Sequence, residues 1–164
     1  MKEAFADAAD SYTIKEFVFE ELENPAKPLM SKYKIESEQE LSGDLIYIDA
    51  VLEKAFDENP FKDEQRVYPV DFAHPFSNRY VYNLTIPTGY QVEELPAKLV
   101  MALPNDGGKF TFLTTQINNV IQVNYTLIIG KAMFLPDEYP ALKSFFEQAI
   151  AKLSEQVVLK KVSK

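Results

Sequence analysis

Cysteine does not occur in this chain of 164 residues. Its absence excludes disulfides, a thiolate nucleophile and cysteine-ligated zinc or iron–sulfur centres. It does not fix the compartment, because many exported bacterial proteins also lack cysteine. Tryptophan is missing too, and histidine occurs once, as His74. One histidine rules out a two-histidine metal site and leaves only mechanisms run by a lone imidazole. Arginine occurs twice, as Arg66 and Arg79. No apolar run approaches the roughly 20 residues of a membrane helix, and residues 1–10 lack the charged-then-apolar plan of a signal peptide. The chain as written is therefore expected to be soluble, with no membrane insertion.

What is present is material for a core. Apolar residues make up 46% and aromatics 13%, with 12 Phe and 9 Tyr, which suits a packed interior rather than a disordered tail. The length suits one well-buried domain over 1–164. Within it, 1–24 is read as an N-terminal strand or linker from a longer chain and 140–157 as a closing helix. The net charge is −8, and an acidic surface repels phosphate backbones, so nucleic acid is not an expected partner. The charge is uneven. Met1 to Glu64 carries 7 Lys against 17 acids, net −10, and Gln65 to Lys164 carries 10 basic and 8 acidic residues, net +2. Attraction between the two halves is one consequence.

The strongest periodicity is helical. Leu142, Phe145, Phe146, Ala149, Ile150, Leu153 and Val157 recur at spacings of three and four, which predicts an amphipathic helix from Pro140 to Val157. Proline is tolerated in a first helical turn, and Asp137 and Glu138 suit the positive end of the helix dipole. Upstream the period is two. Tyr80, Tyr82, Leu84 and Ile86 alternate with polar or smaller neighbours until Pro87-Thr88-Gly89. Ile121, Val123, Tyr125, Leu127 and Ile129 do the same. Asn118-Asn119 tolerates the positive φ of a two-residue turn, so Lys109 to Ile129 is predicted to be a hairpin. Further strands are expected at Tyr12–Phe19, Ser31–Glu36, Leu45–Leu52, Arg66–Phe72, Gln91–Leu95 and Leu99–Leu103. Successive strands followed by one helix predict a mainly β fold, an antiparallel β-sandwich of two packed sheets with one C-terminal amphipathic α-helix.

The residues that carry chemistry each have a plainer explanation. His74 precedes Pro75 and is expected in a turn. Glu93 and Glu94 are strand neighbours and point to opposite faces, so they cannot form an acid–base pair. Asp44 follows Gly43 and is expected to cap a turn. Asp49 lies in an apolar run, and Asp71 is expected as a buried carboxylate partnered by Arg66 or Arg79. Asp57, Glu58, Asn59, Asp63 and Glu64 offer oxygen ligands, but their spacing lacks the alternation and central glycine of an EF-hand loop, so a solvated acidic loop is expected. Gly107-Gly108 reads as a turn. Asn83-Leu84-Thr85 and Asn124-Tyr125-Thr126 match the glycosylation acceptor pattern but fall inside expected strands. The aromatic set Tyr80, Tyr82, Tyr90, Tyr125 and Phe112 offers either a sugar-stacking platform or core filling, and core filling is expected. No catalytic, cofactor-binding or metal-binding residue, and no cofactor, is assigned.

The ordered punctuation resembles a known family. Gly43-Asp44-Leu45-Ile46-Tyr47, Asn59-Pro60-Phe61, Arg66 to Phe72, Pro87 to Pro96, Tyr139-Pro140-Ala141-Leu142 and Val157 to Lys161 are similar to a domain of unknown function. That domain forms the C-terminal part of large exported bacterial transglutaminase-like proteins. The resemblance covers roughly Pro25 to Lys161. It implies that the catalytic Cys, His and Asp belong to an upstream domain, that this chain is the tail of a longer polypeptide, and that the parent is periplasmic or displayed at the cell surface. The expected function is a non-catalytic accessory domain packing beside a transglutaminase- or cysteine-protease-like domain of the same polypeptide. The alternative is a β-sandwich module that binds polysaccharide or peptide.

Overall fold

A computed structural model describes residues 12–24, 26–37 and 43–162. Among the described residues the protein is mainly β, with 49% strand and 10% helix, several antiparallel sheets, one helix near the C-terminus and no closed barrel. Among the described residues no helix is long and apolar enough to cross a membrane. The backbone clusters into two compact units, 1–42 and 43–164.

The first unit contains an antiparallel hairpin of β1 (Tyr12–Glu20) and β2 (Met30–Ser37), with one irregularity in register between Ile14 and Glu16. Ile14 lies opposite Ile35, and Phe17 opposite Tyr33. Alternation puts these residues and Phe19 on one side. Phe17 meets Phe19 edge-on at 4.6 Å between ring centres and lies parallel to Tyr33 at 6.4 Å. The other side carries ion pairs from Lys32 to Glu20 at 2.8 Å and from Lys34 and Lys15 to Glu36 at 3.7 Å each. The hairpin is amphipathic.

The second unit runs through β3 (Leu45–Asp49), β4 (Val70–Asp71), β5 (Phe76–Thr85), β6 (Tyr90–Glu94), β7 (Leu99–Leu103), β8 (Gly108–Ile117), β9 (Val120–Ile129), β10 (Met133–Phe134), α1 (Tyr139–Leu153) and β11 (Gln156–Lys161). One sheet has the order β5-β9-β8-β7 and another β3-β11-β6, while β10 and β4 form a short pair. Every strand pairing is antiparallel. One hydrophobic cluster joins both sheets and the helix: Phe110, Phe112, Val123 and Tyr125 from the larger sheet, Ile46, Val157 and Leu159 from the smaller, and Leu142, Phe145, Phe146 and Ala149 from α1. This is the β-sandwich expected from the alternation.

Turn chemistry fixes the larger sheet. β8 and β9 are joined by Asn118-Asn119, with Asn118 at φ +54° and Ile117 opposite Val120. The link from β7 to β8 places Asn105 and Asp106 both at φ +54°, a conformation asparagine and aspartate accept better than most residues. The backbone of this link passes so close to Gly130 that a Cβ there would lie 2.2 Å from the Asp106 carbonyl oxygen. Only glycine fits.

Four expected elements change in extent. The helix stops at Leu153 instead of Val157; Ser154 Oγ donates to the Ile150 carbonyl at 3.0 Å, and the chain enters β11. Val157 lies four residues beyond Leu153, so it fits a helical stripe, yet Val157 and Leu159, at 0% and 1% exposure, satisfy period two as well. Strand wins because β11 sits between β3 and β6, where backbone partners are available on both sides. The segment Arg66–Phe72 contributes only Val70–Asp71 as strand, with Val67 and Tyr68 exposed before it. β3 ends at Asp49, and the buried Ala50 and Val51 follow outside the ladder. β5 begins at Phe76, four residues before the alternation becomes clear in the sequence.

Candidate functional site

The second unit does not bring the chemically capable side chains together. His74 is exposed, and its Nδ1 lies 3.0 Å from the Pro75 carbonyl. Asp71 is also exposed, which corrects the expected buried ion pair. Its Oδ1 accepts the Ala73 N–H at 2.8 Å, holding a turn in which Ala73 adopts φ +64°. The apolar neighbour Val70 takes the inward position, so alternation turns Asp71 outward. Arg66 instead lies over the Tyr139 ring, 5.7 Å from its centre. Asp49 accepts from Gln156 Nε2 at 2.9 Å across the β3–β11 ladder, and Glu93 pairs with Lys160 at 3.2 Å. The Asp44 carbonyl accepts the Lys161 N–H at 2.8 Å, which extends the β3–β11 ladder beyond Leu45.

The acidic loop 57–64 is tied to α1. Lys143 Nζ donates to the carbonyls of Lys62 and Asp63 at 3.0 and 2.9 Å, and the Tyr139 hydroxyl donates to the same Asp63 carbonyl at 2.9 Å. Asn59 Nδ2 donates to the Lys143 carbonyl at 3.0 Å. Beneath these bonds Phe61 meets Phe72, Tyr139 and Phe146 edge-on at 5.0 to 6.2 Å. The loop's carbonyls and its one aromatic ring do the anchoring, and Glu58 pairs with Lys62 at 2.6 Å. Among the described residues no group of three or more His, Cys, Asp or Glu is placed to hold a metal ion.

The aromatic set belongs to the interior. Tyr80 stacks on Tyr125 at 4.6 Å between ring centres, and Tyr80 and Tyr82 lie parallel at 6.4 Å. The hydroxyls of Tyr82 and Tyr125 both donate to the Glu53 carbonyl, at 2.8 and 3.0 Å. Burial pushes the Tyr125 phenol well above its ordinary range, reinforced by Tyr82 and Tyr80. Burial and the Glu53 charge push Tyr80 in the same direction. Phe112 is fully buried and Tyr90 half-buried, its hydroxyl donating to the Gly43 carbonyl at 3.2 Å. A sugar-stacking row needs exposed ring faces, and these rings face the core.

Asn83 and Asn124 share the outward face of the larger sheet with Gln122, which donates to Asn83 Oδ1 at 3.0 Å and accepts from Asn124 Nδ2 at 3.1 Å. A shallow depression of about 330 Å³ lies between the turns after β5 and β8, lined by Ile86 to Gln91 with Gln116, Asn118 and Asn119. It presents amides and one tyrosine but no acid, base or nucleophile in reacting geometry.

With that geometry in place, the chain can be compared with known proteins. Residues 44–159 match DUF3858, a domain of unknown function for which a structure has been solved. The chain belongs to this family. No curated protein matches it. Among solved structures, the chain is similar to a candidate protease from Parabacteroides distasonis, at TM-score 0.53 and 20% identity, over 60% of this chain and 19% of that one. At such identity the likeness is one of fold. The chain thus spans about a fifth of the length of that protein. The DUF3858 match begins at Asp44, beside the boundary between the two compact units.

Sequence reasoning missed the amphipathic character of β1–β2. The signal was present: Phe17 and Phe19 alternate with charged or aliphatic neighbours, and so do Tyr33 and Ile35. Neither strand shows the face by itself, because it emerges only once the register is known.

Proposed function

We propose that this DUF3858 chain is a non-catalytic accessory domain that packs beside a transglutaminase- or cysteine-protease-like domain of the same polypeptide. The observation that carries the reading is where its polar side chains are spent. Asp71 holds a turn, Asp49 and Glu93 brace the smaller sheet, and Tyr82 and Tyr125 fasten the Glu53 segment to the core. Each is occupied in a structural bond of its own fold, and the two tyrosines that converge do so on the Glu53 backbone carbonyl, which is neither acid, base nor nucleophile, whereas catalysis needs convergence of nucleophile, base and charge-stabilising donors. The fold likeness supports the same reading, because in a protein described as a candidate protease this fold accounts for 19% of the chain. A periplasmic or cell-surface location of the parent belongs to the proposal.

The test is to assay the purified chain for peptidase, transamidase and glycosidase turnover, and then the parent polypeptide with and without residues 43–164. We expect no turnover from the chain alone and a change in the parent's kcat/KM when the unit is removed. Reproducible turnover by the chain, lost on changing Asp71 or His74 singly, would overturn the proposal. Clear NMR shifts on adding oligosaccharides, with no effect of the unit on the parent, would favour a carbohydrate-binding module instead.

A further inference from the structure

The depression between the turns after β5 and β8 combines a fixed frame with polar side chains that the fold does not use. Pro87 to Tyr90 form a four-residue turn, closed by the Tyr90 N–H donating to the Pro87 carbonyl at 3.2 Å, with Gly89 as its third residue at φ +87°. The Gly89 carbonyl accepts the Val162 N–H at 2.8 Å, and the Asn119 carbonyl accepts the Ile86 N–H at 2.7 Å. Gln116 Nε2 donates to the Asn118 carbonyl at 3.1 Å. The carbonyls of both turns are therefore engaged within the fold, and the turns are held in place. The side chains of Thr88, Gln91, Asn118 and Asn119 line the same depression and bond no other described residue. They contrast with the amides of Asn83, Gln122 and Asn124, which bond one another on the outward face of the larger sheet. None of the residues lining the depression is charged, in a chain whose net charge is −8.

We propose that this depression is a binding site for an uncharged saccharide. A primary amide sets a donor and an acceptor side by side, and a hydroxyl does both. Three amides and one hydroxyl around a concave surface therefore suit the neighbouring hydroxyls of a sugar, each of which also donates and accepts. The volume of about 330 Å³ falls within the range of small-ligand sites, about 300–1,000 Å³. Charged ligands fit poorly. An anion would meet no cation in the lining to offset its lost water, and a cation would meet no carboxylate. An extended peptide fits poorly as well. Strand addition needs a row of unpaired backbone groups, whereas the carbonyls here are taken by Tyr90, Val162, Gln116 and Ile86. A peptide anchor needs an open apolar pocket, and Ile86, the aliphatic side chain of the lining, is buried in the core of its own unit. Binding here requires no reaction, so the proposal stands apart from the accessory role.

The experiment titrates the isotope-labelled full chain with cellohexaose, maltohexaose and chitohexaose, following backbone and side-chain amide signals by NMR. Each sugar is taken to about 10 mM, where even a millimolar site is mostly filled. We expect at least one of the three to shift the side-chain amide signals of Gln91, Asn118 and Asn119 along a saturating curve. Gln91→Ala and Asn119→Ala each remove one hydrogen-bonding group and leave the backbone bonds of the turns in place. Each is expected to weaken binding about 3- to 10-fold, the effect of one neutral hydrogen bond. Gln122→Ala removes an amide that is already bonded to Asn83 and Asn124, and is expected to leave the affinity unchanged. Melting temperatures check that the variants keep the fold, and Thr88→Val takes the place of either site variant that does not. Three results would overturn the proposal. The first is no saturable shift of these side-chain amides with any of the three sugars. The second is undiminished affinity in both site variants. The third is tighter binding of oligogalacturonate or of an oligoalanine peptide than of any neutral sugar, which would mean that the site reads charge or a peptide chain. None of these results touches the accessory reading, which is decided separately by the parent's kcat/KM with and without the unit.

Discussion

At the scale of single residues, the Glu53 carbonyl shows how the interior is tied together. Two buried hydroxyls, from Tyr82 and Tyr125, converge on it. Tyr125→Phe removes one donor and leaves the carbonyl bonded by Tyr82, so the expected cost is about 0.5–1.5 kcal/mol. Tyr125→Ala also opens a cavity in the stack, and the expected cost rises to about 3–5 kcal/mol by urea titration. The same phenol governs alkaline behaviour. Its folded-state pKa lies above the unfolded value, so its contribution is complete below about pH 10, and stability falls as pH rises above that value toward the raised one. The phenolate absorbance that Tyr125→Phe removes is expected to appear together with loss of near-ultraviolet circular dichroism, not before it. On the acid side, the Lys131 ammonium and the Leu135 N–H hold the Glu138 carboxyl below its usual range. That contribution is present above the unfolded carboxyl value and is lost as pH falls through the folded one, so Glu138→Gln should flatten the acid limb of a melting-temperature profile. Little of this was legible in the sequence. Asp71 in Val70-Asp71-Phe72 reads as a buried charge in an apolar run. A two-residue strand followed by a turn lets the same three letters place Val70 inside and the carboxylate in water.

At the scale of elements, the helix and the strand after it decide whether the second unit closes. Phe146 touches the rings of Phe56, Phe61, Phe72 and Phe145. Phe146→Ala should therefore cost about 3–5 kcal/mol, measured as a shift in the denaturant midpoint. Removing β11 should be worse. Among the described residues β3 and β6 have no partner in their sheet except β11, so a chain ended after Glu155 is expected to lose the cooperative transition of the second unit altogether, followed by circular dichroism. The helix was legible because its seven expected apolar positions keep three- and four-residue spacing, and six of them lie within Tyr139–Leu153. β11 was not, because Val157 fits the end of that stripe and a six-residue strand ending in Lys160-Lys161 has no glycine or proline turn signal before it. The β8–β9 hairpin was legible to within a residue, since long alternation and an Asn-Asn turn agree with each other. The edges of β3 and β5 were less so: where a strand ends depends on which neighbour offers hydrogen bonds, and that information is not local.

At the scale of the molecule, the uneven charge bears on assembly. Residues 1–64 carry a net −10, and charges at a contact rim mainly speed encounter and set orientation. On the proposed accessory role, binding of this chain in trans to a neighbouring domain is expected to weaken as salt shortens the screening length below about 8 Å. Calorimetry at low and high salt checks this, and salt-independent binding would mean that apolar contact alone governs docking. Function was the least legible property at every scale. Composition could exclude thiol chemistry, but it could not show that the aromatic set faces inward or that β1 and β2 form one amphipathic face, because both facts depend on register. The placement of β11 between β3 and β6 carries a last consequence, for synthesis. In the β3–β11 ladder Asp49 pairs with Gln156 and Leu45 with Lys160, across more than a hundred residues of chain. A ribosome adding about 5–20 residues per second leaves β3 outside the exit tunnel for roughly 5–20 s before its partner is made. During that interval β3 lacks its ladder partner, and its open backbone groups are free to pair elsewhere.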